Sequence, residues 1–109
     1  MTPEGLDKLA FETFLEFHRK LGHSKYCDRE VFDELPARKQ AWICIVQVFL
    51  ENKIRPGRWL DDYAFEMFNE VHGRLGDGQL TRLAFDRDTY RRPAWYEIVR
   101  ALETLRAKL

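Results

Sequence analysis

One segment occurs twice in this chain, as AFETFLEFHRKLG at residues 10–22 and as AFEMFNEVHGRLG at residues 64–76. The two copies lie 54 residues apart and are identical at Ala, Phe, Glu, Phe, Glu, His, Leu and Gly. A repeat at a fixed period indicates that one supersecondary unit is used more than once. The segment therefore predicts an internal duplication.

The similarity continues beyond this segment after a one-residue slip, which changes the offset to 53. The corresponding pairs are Phe32 and Phe85, Asp33 and Asp86, Trp42 and Trp95, Ile45 and Ile98, and Val46 and Val99. We predict two units, residues 1–54 and 59–109, joined by a short turn at residues 55–58, where Pro-Gly favours a turn. Together they are expected to form a single domain over residues 1–109.

Each unit is predicted to be a helix, a long loop and a second helix. Apolar residues recur at steps of three and four in both halves, which is the helical period. The first helix of each unit is expected to end at a glycine, Gly22 or Gly76, and the second to open beside a proline, Pro36 or Pro93. Two helices alone form a marginal core, so the units should pack on each other.

The predicted loops cover residues 23–35 and 77–92, and each contains a Phe followed by an Asp. We expect Phe32 and Phe85 to anchor these loops on the helices. The predicted fold is all-α, a pseudo-twofold four-helix arrangement of two duplicated helix-loop-helix units.

The composition describes a globular chain with a balanced charge. Of 109 residues, 45% are hydrophobic and 14% aromatic, and 18 basic residues match 18 acidic ones. Zero net charge removes the overall attraction to phosphate backbones on which many nucleic-acid binders rely. The most apolar run, residues 42–50, is too short to span a bilayer, and residues 1–4 carry no signal-peptide pattern. A cytoplasmic location without membrane contact is expected.

The residues predict neither a catalytic site nor a metal or cofactor site. His18 and His72 occupy equivalent positions, but each lies two residues after a Glu, whereas helical carboxylate-histidine metal sites use a spacing of three. We predict that these histidines pack beside Phe14 and Phe68, four residues earlier. Cys27 has no predicted base beyond the neighbouring His23, and Cys44 lies in an apolar helix, so both thiols are expected to be reduced and non-catalytic.

The first unit also carries a recognisable motif. A helix with Ala-x-x-x-Phe and Leu-Gly is followed by Phe32-Asp33-Glu34-Leu35-Pro36 and then by Trp42. This motif is similar to a tandem helix-loop-helix unit of bacteriophage and bacterial proteins of unknown function, and it also resembles the ryanodine-receptor repeat. The resemblance implies a phage or mobile-element origin and supplies no catalytic residue.

The strongest candidate for a functional surface lies in the second unit. Residues 82–108 contain seven basic and four acidic residues, whereas residues 1–54 contain eight and nine. Arginine beside an aromatic residue suits a carboxylate, a phosphate or a stacking partner. The alternative is a solvated loop whose arginines pair with Asp86 and Asp88. The candidate partner-binding residues are Arg82, Arg87, Tyr90, Arg91, Arg92, Arg58 and Trp59.

Three functional hypotheses follow. The first is a non-enzymatic protein-binding module, for example an inhibitor of a host defence or transcription complex. The second is a small-ligand module that holds a nucleotide or another anion in a cleft between the units. The third is a nucleic-acid binder that uses the arginine-rich second unit, a less favoured class at zero net charge.

Overall fold

The computed structural model describes residues 1–51 and 60–107, and all regular secondary structure in these ranges is helical. The helices are α1 (Pro3–Lys20), α2 (Arg29–Glu34), α3 (Pro36–Glu51), α4 (Leu60–Leu75), α5 (Arg82–Arg87) and α6 (Arg91–Arg106), with a 3-10 turn at Ser24–Tyr26. The predicted all-α class is confirmed. The predicted linker turn at residues 55–58 lies outside the described residues.

The first long helix of each unit ends at the predicted glycine, which adopts the left-handed conformation. The φ angle is 74° at Gly22 and 76° at Gly76, a backbone region that residues with a Cβ atom adopt only at a cost in conformational energy. The residue after each glycine donates its N–H to a histidine carbonyl in the last helical turn, at 2.8 Å for His18 and 2.9 Å for His72. This Schellman arrangement satisfies carbonyls that a helix end leaves without partners.

The segments predicted as loops contain helices α2 and α5, so the loop prediction was wrong at these residues. The reason is local capping. Asp28 Oδ1 accepts the N–H of Glu30 at 2.8 Å at the start of α2, and Thr81 Oγ1 accepts the N–H of Ala84 at 3.2 Å at the start of α5. These bonds satisfy first-turn N–H groups that have no partner inside a helix.

The phenylalanines of the two short helices act as the predicted anchors. Phe32 and Phe85 are both fully buried, at 0% exposure. The second long helix opens at Pro36 in the first unit, as predicted, but at Arg91 in the second, two residues before Pro93. Pro93 thus lies inside the first turn of α6, where its missing N–H costs no helical hydrogen bond.

The four long helices enclose the core. Helix α1 contacts α3 and α6, and α4 contacts the same two helices, so contacts between α1 and α6 and between α3 and α4 join the units. The buried core contains Phe14, Trp42, Phe68 and Trp95. Each unit therefore completes the hydrophobic core of the other.

The aromatic contacts of the two units match in pairs. The ring centroids of Phe14 and Trp42 are 5.8 Å apart with planes at 85°, and those of Phe68 and Trp95 are 5.6 Å apart, also at 85°. Such edge-to-face packing is a favourable aromatic arrangement. Matched contacts are what a duplicated core should show, while the twofold relation of the units stays a prediction.

Candidate functional site

The arginine-rich stretch of the second unit forms the corner between α5 and α6. The Phe85 ring fixes α5 against α4, with centroid distances of 5.5 Å to both Phe65 and Phe68. Asp88 then holds the start of α6, since its Oδ1 accepts the N–H groups of Tyr90 at 3.0 Å and Arg91 at 2.7 Å. These backbone hydrogen bonds lower the pKa of the Asp88 carboxyl. The corner is therefore an ordered platform.

Two of the predicted partner-binding arginines belong to an internal ion-pair network. Arg82 pairs with Asp61, with Asp62 at 2.8 Å and with Asp86 at 3.1 Å. Arg92 contacts Asp61 from its Nε at 3.2 Å and bonds the Tyr96 hydroxyl oxygen at 2.7 Å. Both guanidinium groups therefore have carboxylate partners within the protein, in line with the expected pairing to Asp86.

The first unit contains the same network at the equivalent positions. Arg29 pairs with Asp7 and, at 3.1 Å, with Asp33, while Lys39 contacts Asp7 at 3.1 Å and Asp33 at 2.8 Å. Burial raises the pKa of Asp7, but hydrogen bonds from Arg29 and Lys39 outweigh this effect and lower it. Because the network occurs in both units, we assign it to the scaffold that ties each short helix to its neighbours.

The remaining residues of the corner are open to a partner. Tyr90 is 84% exposed and Leu83 is 58% exposed. Arg87 is exposed, and no described residue forms an ion pair with it; Arg91 pairs with Asp88 at 3.0 Å but keeps about half of its side chain exposed. We call Leu83, Arg87, Tyr90 and Arg91 the Tyr90 face.

Three of the four residues of the Tyr90 face differ in character from their equivalents in the first unit, whereas Arg91 corresponds to Arg38. With the offset of 53, Leu83 corresponds to Glu30, Arg87 to Glu34 and Tyr90 to Ala37, all of them exposed. The units thus share the buried aromatic residues and the ion-pair network but differ in apolarity and charge on this outer face. Arg58 and Trp59, the other two predicted partner-binding residues, lie outside the described residues.

His18 packs as predicted and takes part in a polar contact of the first unit. Its ring lies edge-on to Phe14, at 4.5 Å between centroids, and is stacked on Tyr26 at 5.0 Å. His18 Nδ1 and His23 Nδ1 are 3.2 Å apart, so one donates to the other. Burial, with smaller contributions from His23 and Arg38, lowers the pKa of His18 to about 4.

His72, the equivalent residue, borders an open cleft. Its ring packs on Phe68 at 4.2 Å, as predicted, and its Nδ1 lies 3.6 Å from Asp77 Oδ2, with no hydrogen-bond partner among the described residues. Burial lowers the pKa of His72, although Asp77 opposes the effect. The cleft has a volume of about 420 Å³ and Arg91 at its rim. It lies within the second unit, whereas the small-ligand hypothesis places its cleft between the units; that hypothesis stays a prediction.

The two cysteines and the histidines do not assemble into a reactive cluster. Cys27 and Cys44 are free thiols, and Cys27 Sγ points to the carbonyl oxygens of His23 at 3.7 Å and Leu15 at 4.0 Å. Within residues 1–51 and 60–107, no three His, Cys, Asp or Glu side chains are close enough to hold a metal ion.

Sequence reasoning missed Leu83 and the His72 cleft. A signal for both is present in the internal alignment. Leu83 stands opposite Glu30, and the segment between the helix-ending glycine and the anchoring phenylalanine is one residue shorter in the second unit and lacks an aromatic counterpart of Tyr26. The differences between the two units, as well as their similarities, therefore point to the Tyr90 face and the His72 cleft.

No protein-family model, curated protein or solved structure matches this chain. The similarity to phage-type units and ryanodine-receptor repeats therefore stays a prediction. Among the helices of the described ranges, none has both the length and the apolar character needed to cross a bilayer.

Proposed function

We propose that this protein is a non-enzymatic binding module that engages another protein chain through the Tyr90 face. The observation that carries the proposal is the exposure of a tyrosine ring at 84% on a corner that Asp88 holds in place. A tyrosine side chain has only two χ angles and therefore loses little conformational entropy on binding, and tyrosine and arginine are enriched among residues that dominate binding energy.

The chemistry of the face favours a particular partner surface. Leu83 and Tyr90 supply apolar area, while Arg87 supplies a guanidinium that no described carboxylate neutralises. An apolar recess flanked by carboxylates would match it, because a carboxylate accepts two parallel hydrogen bonds from one guanidinium. One concrete form of this proposal, by analogy, is an inhibitor that binds such a recess on a host defence or transcription complex.

The ion-pair network makes a nucleic acid a poorer match than a protein. Arg82 and Arg92 already face Asp61, Asp62 and Asp86, so the positive charge that phosphates would meet is reduced. Affinity for a nucleic acid grows with the number of phosphates that a protein neutralises.

Site-specific photocrosslinking tests the proposal. A photoreactive phenylalanine analogue replaces Tyr90 in one protein and Ala37, the equivalent exposed position of the first unit, in the matched control. In cells that express the protein, we expect an adduct at position 90 that resists nuclease and is degraded by protease. Position 37 should give no such adduct, and Arg87→Glu should reduce the yield of the adduct at position 90. Equal adducts at both positions, a nuclease-sensitive adduct, or no adduct at position 90 would overturn the proposal.

A further inference from the structure

The first unit shows what the equivalent of the His72 cleft accepts. There the loop supplies Tyr26, whose ring stacks on His18 with a centroid distance of 5.0 Å and an angle of 27° between planes. His23 supplies the polar contact, at 3.2 Å from His18. A tyrosine ring covering the histidine is therefore the filled form of this cleft.

The second unit leaves the same position open. The residues between Gly76 and Phe85 include no aromatic side chain, and Asp77 stands where the first unit has His23. The wall of the cleft is nevertheless held in place. Asn69 bonds the backbone of Leu80 through both ends of its amide, at 3.0 and 3.1 Å. About a quarter of the His72 side chain remains exposed.

A tyrosine that could fill this cleft stands on the same corner of the protein. Tyr90 is 84% exposed and immediately precedes Arg91, which lines the cleft. Its backbone is fixed by Asp88, so the ring projects from an ordered position. We propose that two copies of this chain associate about a twofold axis, each inserting its Tyr90 ring into the His72 cleft of the other.

The charges of the corner are self-complementary, which is the reason for choosing a second copy as the occupant. Each copy presents Asp77, 56% exposed, at the cleft and the exposed Arg87 in the last turn of α5, three residues before Tyr90. A twofold axis brings Asp77 at the cleft of one copy to the basic end of α5 of the other, while Arg91, which also lines the cleft, is paired with Asp88 of its own chain. Such a contact closes without leaving a free binding surface. Zero net charge adds no general repulsion between copies.

Sedimentation analysis of the full chain over a concentration series tests this inference. We expect the weight-average mass of the wild type to rise from that of one chain towards that of two. Tyr90→Ala removes the inserted ring, and Gly78→Trp obstructs the cleft. The backbone tolerates a side chain at position 78, because a Cβ there meets no atom within 4 Å and the φ angle of Gly78 lies outside the left-handed region. Both variants should stay monomeric. Leu35→Ala, a change at a 51% exposed leucine of the first unit, should associate like the wild type.

Mixing the two monomeric variants gives the decisive readout. The Gly78→Trp chain still offers Tyr90, and the Tyr90→Ala chain still has an open cleft, so an equimolar mixture should form a mixed dimer held by one of the two contacts. Circular dichroism checks that each variant is helical. A monomeric wild type, a dimer that survives Gly78→Trp, or a mixture without mixed dimers would overturn the inference.

The inference rests on the proposed function, because it names the partner of the Tyr90 face, but the two fail differently. If the adduct at position 90 contains a different protein and the wild type is monomeric, the self-association is wrong and the proposed function is still supported. If the wild type is monomeric and adenosine monophosphate shifts the NMR resonances of His72, the self-association is also overturned, and a small ligand in the cleft is favoured instead.

Discussion

Lowering the pH should destabilise the protein through His18, which the fold holds in its neutral form. Its ring packs against Phe14, Phe17 and Tyr26, with His23 and Arg38 as its polar and charged neighbours. Burial first, and then these two groups, lower the pKa of His18 from 6.5 to about 4.

The sign and size of the effect follow from proton linkage. Between pH 6.5 and 4 the unfolded chain binds a proton at residue 18 and the folded protein does not, so the free energy of unfolding falls as the pH falls. One pKa unit corresponds to about 1.4 kcal/mol, which sets an upper limit of about 3.4 kcal/mol. The His18 ring is partly exposed, so solvent screening reduces the expected loss to about 2 kcal/mol.

Urea denaturation of the wild type and of His18→Gln, measured at steps between pH 7 and pH 4, checks this prediction. Carboxylates that titrate in the same range are common to both proteins and cancel in the difference. We expect the wild type to lose more stability than the variant on acidification, with the gap opening below pH 6.5. Parallel pH profiles for the two proteins would refute the view that His18 is buried as a neutral base.

Two further predictions concern the buried rings and ion pairs that occur at matching positions in the two units. Phe32→Ala and Phe85→Ala each remove a fully buried anchor ring, so each should lower the free energy of unfolding by about 3–5 kcal/mol, measured by chemical denaturation. A loss below about 1 kcal/mol for either variant would contradict the anchoring role of these rings. Asp61→Asn weakens the contacts to Arg82 and Arg92 and should cost about 1–2 kcal/mol, as Asp7→Asn should in the first unit. Asp77→Asn, at a more exposed aspartate, is the control and should cost less than about 0.5 kcal/mol.

Much of the fold could be predicted from the sequence because its determinants are local or repeated. Gly22 and Gly76 mark helix ends through a backbone conformation that glycine adopts readily, and the recurring Phe and Trp positions identify the core. The short helices α2 and α5 were missed because six residues are too few for a helical period to show. Their caps, Asp28 and Thr81, were the available signal.

The candidate site was harder to predict because it depends on which charges the fold brings together. Sequence spacing relates Arg82 to Asp86, four residues later on the same helix, but the contacts of Arg82 and Arg92 with Asp61 join residues more than 20 positions apart. Only the packed structure separates these arginines from Arg87, which is exposed and forms no ion pair with a described residue.

The aromatic contacts of the two units match, and we propose that the Tyr90 face carries the function. The triple variant Leu83→Glu, Arg87→Glu, Tyr90→Ala gives the second unit the residues that the first unit has at these exposed positions. Circular dichroism first checks that the variant keeps its helical content. The decisive measurement is then the affinity of this variant for the protein partner that crosslinking at position 90 identifies. We expect a folded protein that has lost this binding, and a folded variant that binds like the wild type would contradict the proposed role of the Tyr90 face.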